Sequence, residues 1–146
     1  ILEAANTAPA CMGQYDHLHL TVVQKPEILA QINAAFQKAV GDPNMQVTYG
    51  APTVIYVSCK NEDEEIVKGC NAGVVMENML LEAADLGLGA VYLFGVSQVL
   101  FANEEITKLL QIPEGFRTVS AIAVGISADA LQERTLGTDK ISTTTL

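Results

Sequence analysis

Apolar positions recur along this chain with two periods. LHLTVV (18–23) alternates and is rich in Leu and Val, which predicts a strand. KPEILAQINAAFQKAV (25–40) predicts a helix. Pro26 suits its first turn, and Ile28, Leu29, Ile32, Ala35, Phe36 and Val40 form one apolar face. GDPN (41–44) is a turn. APTVIYVSC (51–59) is a continuous apolar run, which predicts a strand buried on both faces.

NEDEE (61–65) opens the next helix, since carboxylates in a first turn complement the helix dipole. That helix runs to about Leu86. Asn71, Asn78, Glu82 and Asp85 fall on one narrow stripe, read here as solvated, and nearly everything else is apolar. Such a helix is expected to be buried around most of its circumference. Gly87 ends it in the left-handed conformation. Gly89 lets the chain turn into AVYLF (90–94), read as a central strand. Residues 103–111 predict a short helix capped by Asn103. TVSAIAVGI (118–126) predicts a further buried strand. At the start, residues 1–7 read as the end of a helix stopped by Pro9, and PACMGQYDH (9–17) as a loop.

Interleaved helices around a sheet of about four strands say α/β or α+β. The 146 residues fit one domain, 1–146, and 49% hydrophobic composition supplies a core. Because the first residue is Ile1 and ILEAANTAPA reads as a helix end, an N-terminal segment is expected to be missing. The tail, residues 128–146, has few core positions. It is expected to order by packing on a partner subunit.

A net charge of −9 argues against a nucleic-acid surface, which needs clustered Lys and Arg. A small anion remains open to backbone N–H groups and one or two cations. Three cysteines outside CxxC spacing point to a reducing, cytoplasmic compartment, and no run is apolar enough to span a membrane. His17 and His19 could face one side as a metal pair, with Cys11 nearby, but no further ligand cluster accompanies them and no metal site is expected. Glu77 joins the polar stripe without marking an acid–base site. Arg117, Arg134 and Lys140 are the late basic residues. Gly87-Leu88-Gly89 is not a dinucleotide fingerprint, because it follows a helix and opens a strand.

Three stretches in order resemble the nitroreductase family of FMN-dependent enzymes. ILEAANTAPACMG resembles the family's helix end and Ala-Pro-Ser loop. YGAPTVIYVSC followed by NAGVVMENMLLEAADLGLGAVYLFG resembles its Gly-Ala-Pro strand, long central helix, Gly-Leu-Gly turn and next strand. IPEGFRTVSAIAVGI resembles its last core strand. The resemblance implies an α+β sandwich, a mixed and mainly antiparallel sheet flanked by helices. The long helix would lie at the interface of a homodimer that holds FMN. A charge placed at Val74 or Val75 would then be expected to break the dimer.

By the same resemblance, the loop Pro9, Ala10, Cys11, Met12 and Gly13 would lie along the flavin's pyrimidine side. Leu93, Phe94 and Gly95 would offer backbone groups near its N5. Arg134, or else Lys140, would meet the phosphate, where a guanidinium fork suits the anion. The implied activity is NAD(P)H oxidoreduction, with hydride passing to the flavin and then to a nitroaromatic, a quinone or another acceptor in alternation. A non-catalytic flavin-binding protein, and a chain serving only assembly, stay open beside it. The sequence departs from the family pattern in three places. It lacks the early Arg-x-Ser-x-Arg, it has GQYDH where Asn-x-Gln-Pro-Trp is common, and it has Gly125-Ile126-Ser127 in place of a Gly-Tyr-Pro.

Overall fold

A computed structural model describes residues 1–95, 99, 103–130, 132–133 and 135–146. Helix α1 spans Leu2–Asn6 and is followed by two 3-10 turns, Cys11–Gly13 and Tyr15–His17. Strand β1 (Leu18–Val23), helix α2 (Pro26–Val40), strand β2 (Thr53–Lys60) and helix α3 (Glu65–Asp85) come next. The chain closes with strand β3 (Gly89–Tyr92), helix α4 (Glu104–Leu109) and strand β4 (Phe116–Gly125). The strands form one sheet in the order β1-β2-β4-β3, with every neighbouring pair antiparallel.

Period-two alternation divides the sheet between two cores. Val54 and Tyr56 of β2, with Ala121 and Ala123 of β4, face Leu29, Ile32 and Phe36 of α2 and Ile106 of α4. Ile55, Val57 and Cys59, with Ile122 and Val124, face Ala72, Val75, Met76 and Met79 of α3 and Ala5 of α1. Two helical layers therefore sandwich the sheet. β2 and β4, its two central strands, are buried on both faces, as the run APTVIYVSC predicts. The buried Tyr56 hydroxyl has no hydrogen-bond partner among the described residues, and burial pushes its ionisation well above the ordinary phenol range.

The element boundaries have local causes. Pro26 occupies the first turn of α2, and Gly41 closes that helix at φ +75. The Asn103 side chain accepts from Ile106 N at 3.2 Å and caps α4. After α3, Gly87 takes φ +71. Its N–H reaches Ala84 O at 3.0 Å, and the Leu88 N–H reaches Ala83 O at 2.8 Å. This pair of bonds is the Schellman stop.

Three expectations are corrected. The strand after the Gly-Leu-Gly turn is an edge strand, paired only through Gly89↔Gly125 to Tyr92↔Ile122, not a central one. Four apolar residues cannot distinguish two neighbours from one. Helix α3 starts at Glu65 rather than at Asn61, because Asp63 turns away to pair with His17. The polar stripe of α3 is not solvated at Asn71, which is 3% exposed.

Candidate functional site

The polar stripe of α3 is where the N-terminal segment docks. Asn78 Nδ2 donates to Ala4 O at 3.0 Å and to Thr7 Oγ1 at 3.3 Å. One turn pair earlier, the Asn71 side-chain oxygen accepts from the Cys11 N–H at 2.8 Å. These bonds add a donor to Ala4 O of α1 and fix the loop that follows on the N-terminal half of α3. The stripe was legible in the sequence but read as solvated, because the partners of Asn71 and Asn78 lie 60 to 74 residues away and left no sequence signal.

The Pro9–Gly13 loop stands out from the body of the molecule. The remaining backbone bonds of this stretch are local, Ala10 N to Ala8 O, Gly13 N to Ala10 O and Gln14 N to Cys11 O. Met12 sits at φ +53 with 88% of its surface exposed. A methionine in the left-handed region is uncommon outside functional or strained turns. A Cβ added at Gly13 would meet nothing within 4 Å.

The second predicted cluster is at the end of β3. Leu93 is buried, and its N–H is committed to Ala121 O at 2.7 Å, so that donor continues the sheet. The chain turns helical at Phe94 and Gly95, which are exposed. Phe94 stacks on Tyr92 with ring centroids 6.4 Å apart. A Cβ at Gly95 would also meet open space. No hydrogen bond among the described residues joins Pro9–Gly13 to Leu93–Gly95. Arg134 lies outside the described residues. Lys140 is exposed in the tail.

A charged cluster that sequence reasoning missed closes the end of the sheet next to the loop. His17 Nδ1 and Asp63 Oδ1 are 2.7 Å apart, and Asp63 is 10% exposed at its side chain. Lys60 bridges to Asp16 at 3.2 Å, and that bond holds the Asp16 carboxyl below its ordinary range. Lys68, buried on α3, donates to Asn61 O at 2.8 Å and to Glu65 at 3.2 Å. Arg117 hydrogen-bonds the other Glu65 oxygen. His19 goes elsewhere, edge-on to Phe116 with centroids 6.2 Å apart. The expected common face of the two histidines is therefore not formed. Among the described residues, no group of three His, Cys, Asp or Glu side chains could hold a metal ion. No helix among them is long and apolar enough to cross a membrane.

The outer side of α3 is uncovered. Ile66, Cys70, Glu77, Leu81 and Ala84 are exposed at helical spacing, with Leu81 at 61%. Val75, by contrast, is buried against the sheet, and Val74 packs partly on the same core. A charge at Val75 would unfold the domain rather than report on an interface. The tail beyond Ser127 is exposed at its apolar residues Leu136, Ile141 and Leu146.

The model of the nitroreductase family matches residues 1–126. Two proteins named "Putative NADH dehydrogenase/NAD(P)H nitroreductase" are each 32% identical to 88% of this chain. The chain spans 64% of the one from Methanothermobacter thermautotrophicus and 71% of the one from Archaeoglobus fulgidus. Among solved structures, a nitroreductase with bound FMN from Bacteroides fragilis superposes with a TM-score of 0.80 at 24% identity. That match covers 98% of this chain and 83% of the other. Another nitroreductase with bound FMN, from Desulfitobacterium hafniense, gives 0.81 at 21% identity, over 97% and 82%. These structural matches show that the fold is shared.

Proposed function

The chain belongs to the nitroreductase family, and from that premise we propose that it is an FMN-dependent NAD(P)H oxidoreductase that works as a homodimer. The observation that carries the reading is the family match across residues 1–126. Both predicted flavin-edge segments lie inside it.

The residues present fit a planar, anionic cofactor at its ring. Pro9–Gly13 is an exposed loop with open space over Gly13. Phe94 and Tyr92 offer a stacked aromatic surface beside Gly95, which again leaves room. In this reading Pro9, Ala10, Cys11, Met12 and Gly13 bound one edge of the ring, and Leu93, Phe94 and Gly95 another. Leu93 contributes through its position, since its N–H is engaged in the sheet. Arg134, with Lys140 second, holds the phosphate. Lys60, Lys68 and Arg117 are poorer candidates, because each already faces a carboxylate.

Held between these segments, FMN would supply two-electron chemistry between reduced nicotinamide and an acceptor such as a nitroaromatic or a quinone, one substrate after the other. The protein's own share is placement and the exclusion of water. The tether from Asn71 to Cys11 holds the loop against α3. Asn78 holds α1 behind it. The exposed α3 face and the exposed apolar residues of the tail supply surface for a second copy. Fully covering a Leu or Ile side chain stabilises by roughly 1.5–3 kcal/mol.

The test is an absorption spectrum of the purified protein with added FMN, before and after anaerobic NADH and NADPH. A bound flavin band that bleaches with either donor supports a reductase and names its donor. A bound band that no donor bleaches leaves a flavin-binding protein. No retained flavin overturns the reading. Arg134→Ala is expected to weaken FMN binding at least tenfold, and unchanged affinity would reject that assignment.

A further inference from the structure

Charge is unevenly spread around the Pro9–Gly13 loop. The turn Tyr15–His17 begins two residues after Gly13, so the Asp16 Cα lies within about 11 Å of the Gly13 Cα. Side-chain bonds gather the start of α3 to that turn. Lys60 reaches Asp16 at 3.2 Å and Glu62 at 3.9 Å. His17 reaches Asp63 at 2.7 Å. Glu64 and Glu65 follow in the chain, and Glu65 holds both Lys68 and Arg117. Five carboxylates, those of Asp16 and residues 62–65, therefore stand against three cations, and each of these cations is already bonded to a member of the group.

The excess is not cancelled locally. The Asp63 side chain is 10% exposed, and its Oδ2 is buried with no hydrogen-bond partner among the described residues. Asp16, Glu62 and Glu65 are about three-quarters exposed, so their charges face solvent beside the loop. A second copy does not neutralise them, because the same chain carries 17 Asp and Glu against 8 Lys and Arg. Where that copy covers part of the group, its charges are screened less than in open solvent, and the field at the loop persists.

We propose that this acidic rim sorts the substrates of the flavin site by charge, taking NADH in preference to NADPH and cationic acceptors in preference to anionic ones. This sorting rests on the flavin site proposed for the loop and gives that site its substrate class. The extra phosphate of NADPH adds about 1.5 to 2 negative charges at neutral pH. A rim of one sign raises the local concentration of opposite charges and lowers that of like ones, an effect of about 10–10³ on association rates at low ionic strength. A neutral acceptor is indifferent to it. The tail cations Arg134 and Lys140 do not offset the rim, because the flavin's phosphate occupies them in the same site.

Two measurements test it. The first uses the full chain without FMN and reads the field at the loop through Cys11, an exposed free thiol on it. In a Cys70→Ser background, the reactions of a cationic and an anionic methanethiosulfonate are timed by intact mass, with β-mercaptoethanol as reference thiol. Relative to that reference, Cys11 should favour the cationic reagent about tenfold at about 0.01 M ionic strength. The preference should fade at about 0.1 M, as the Debye length shrinks from about 30 to about 10 Å. Glu62→Lys combined with Glu64→Lys should remove most of it. The second uses the FMN-loaded chain under anaerobic conditions, with NADH, NADPH and three para-nitrobenzyl acceptors: the trimethylammonium, the alcohol and the phosphonate. In kcat/KM, NADH should exceed NADPH and the trimethylammonium should exceed the phosphonate, each at least about tenfold at low ionic strength. Both gaps should narrow with salt and in the double variant, while the neutral alcohol keeps its kcat/KM. Equal reactivity of the two thiosulfonates, gaps that stay constant with salt, or NADPH or the phosphonate used as well as its counterpart would each overturn the sorting and leave the reductase standing. Turnover of no acceptor, beside a Cys11 that still favours the cationic reagent, would overturn the reductase and the sorting with it. A Cys11 that reacts with neither reagent would overturn the exposed placement of the loop on which the sorting depends.

Discussion

On α3, Ala72, Val75, Met76, Met79 and Ala83 disappear against the sheet, while Ile66, Cys70, Leu81 and Ala84 on the opposite side of the same helix stay exposed. Glu65, Glu77 and Asp85 stand among the exposed apolar residues, and the two sides differ above all in what they meet. The inner side has β2 and β4 across from it, and among the described residues nothing covers the outer side. Hydrophobic burial stabilises only where a surface is available to cover it. An almost all-apolar helix therefore carries two messages. One says that it packs on this domain. The other says that half of it waits for something else.

The largest effect should come from the inner side. Met79 is fully buried in the core shared by α3, β2 and β4. Met79→Ala removes that packing and leaves a cavity, at a cost of about 2–5 kcal/mol in urea unfolding. A loss below 1 kcal/mol would mean that the inner side is looser than the sheet geometry implies. Next comes the flank. Asn78→Ala removes the one donor to Ala4 O that comes from α3, leaving those of Thr7, and unties α1 at a cost of about 1 kcal/mol. Faster proteolysis within α1 should accompany it. If α1 stays protected, the tether is not what holds it.

The outer side should respond in a different observable. Leu81→Glu alters an exposed residue and should shift the folding stability of the single chain by no more than about 0.5 kcal/mol. If the outer side covers a second copy, the same change should convert a dimer to a monomer in sedimentation. A variant that stays dimeric would move the interface away from this face. Leu81 is the sharper probe than Val74 or Val75, because Val75 belongs to the inner core and a charge there confounds association with unfolding.

The two-sided character of α3 explains what the sequence could and could not tell. Periodicity located the helix, and Gly87 marked its end, because a 3.6-residue repeat and a left-handed stop are local properties. The same holds for β2 and β4, whose continuous apolar runs predicted strands buried on both faces. Strand order was not local. The strand opened by Gly89 reads as apolar as β4, but it pairs on one side only. The partners of the polar stripe were equally hidden. Asn71 and Asn78 look like solvent-facing residues until the chain brings Cys11, Ala4 and Thr7 back across α3. The His17–Asp63 pair was hidden for the same reason, with 46 residues between its members. The loop and the end of β3 enter the candidate site only as what the family resemblance implies. The exposure of Met12 and the commitment of the Leu93 N–H required coordinates.

The smallest effect belongs to the start of α3, where the outer side turns polar. Glu65 bonds both Arg117 and Lys68, and the Arg117 bond, followed by that from Lys68, holds its carboxyl below the ordinary glutamate range. A carboxyl lowered in the folded state contributes stability above its unfolded pKa and loses it as pH falls through the folded value. The window is therefore acidic, from the ordinary carboxylate range downward, and neutral pH should show no change. Glu65 is three-quarters exposed, so solvent and salt screen the pair and the slope is shallow. Comparing wild type with Glu65→Gln in urea at pH 7 and again near pH 3 isolates it. The gap between the two proteins should narrow on acidification, and more so at low ionic strength. A gap that stays constant with pH would mean that the outer end of α3 is held by packing alone. The helix would then differ between its two sides only in what covers them, with no electrostatic anchor at its start.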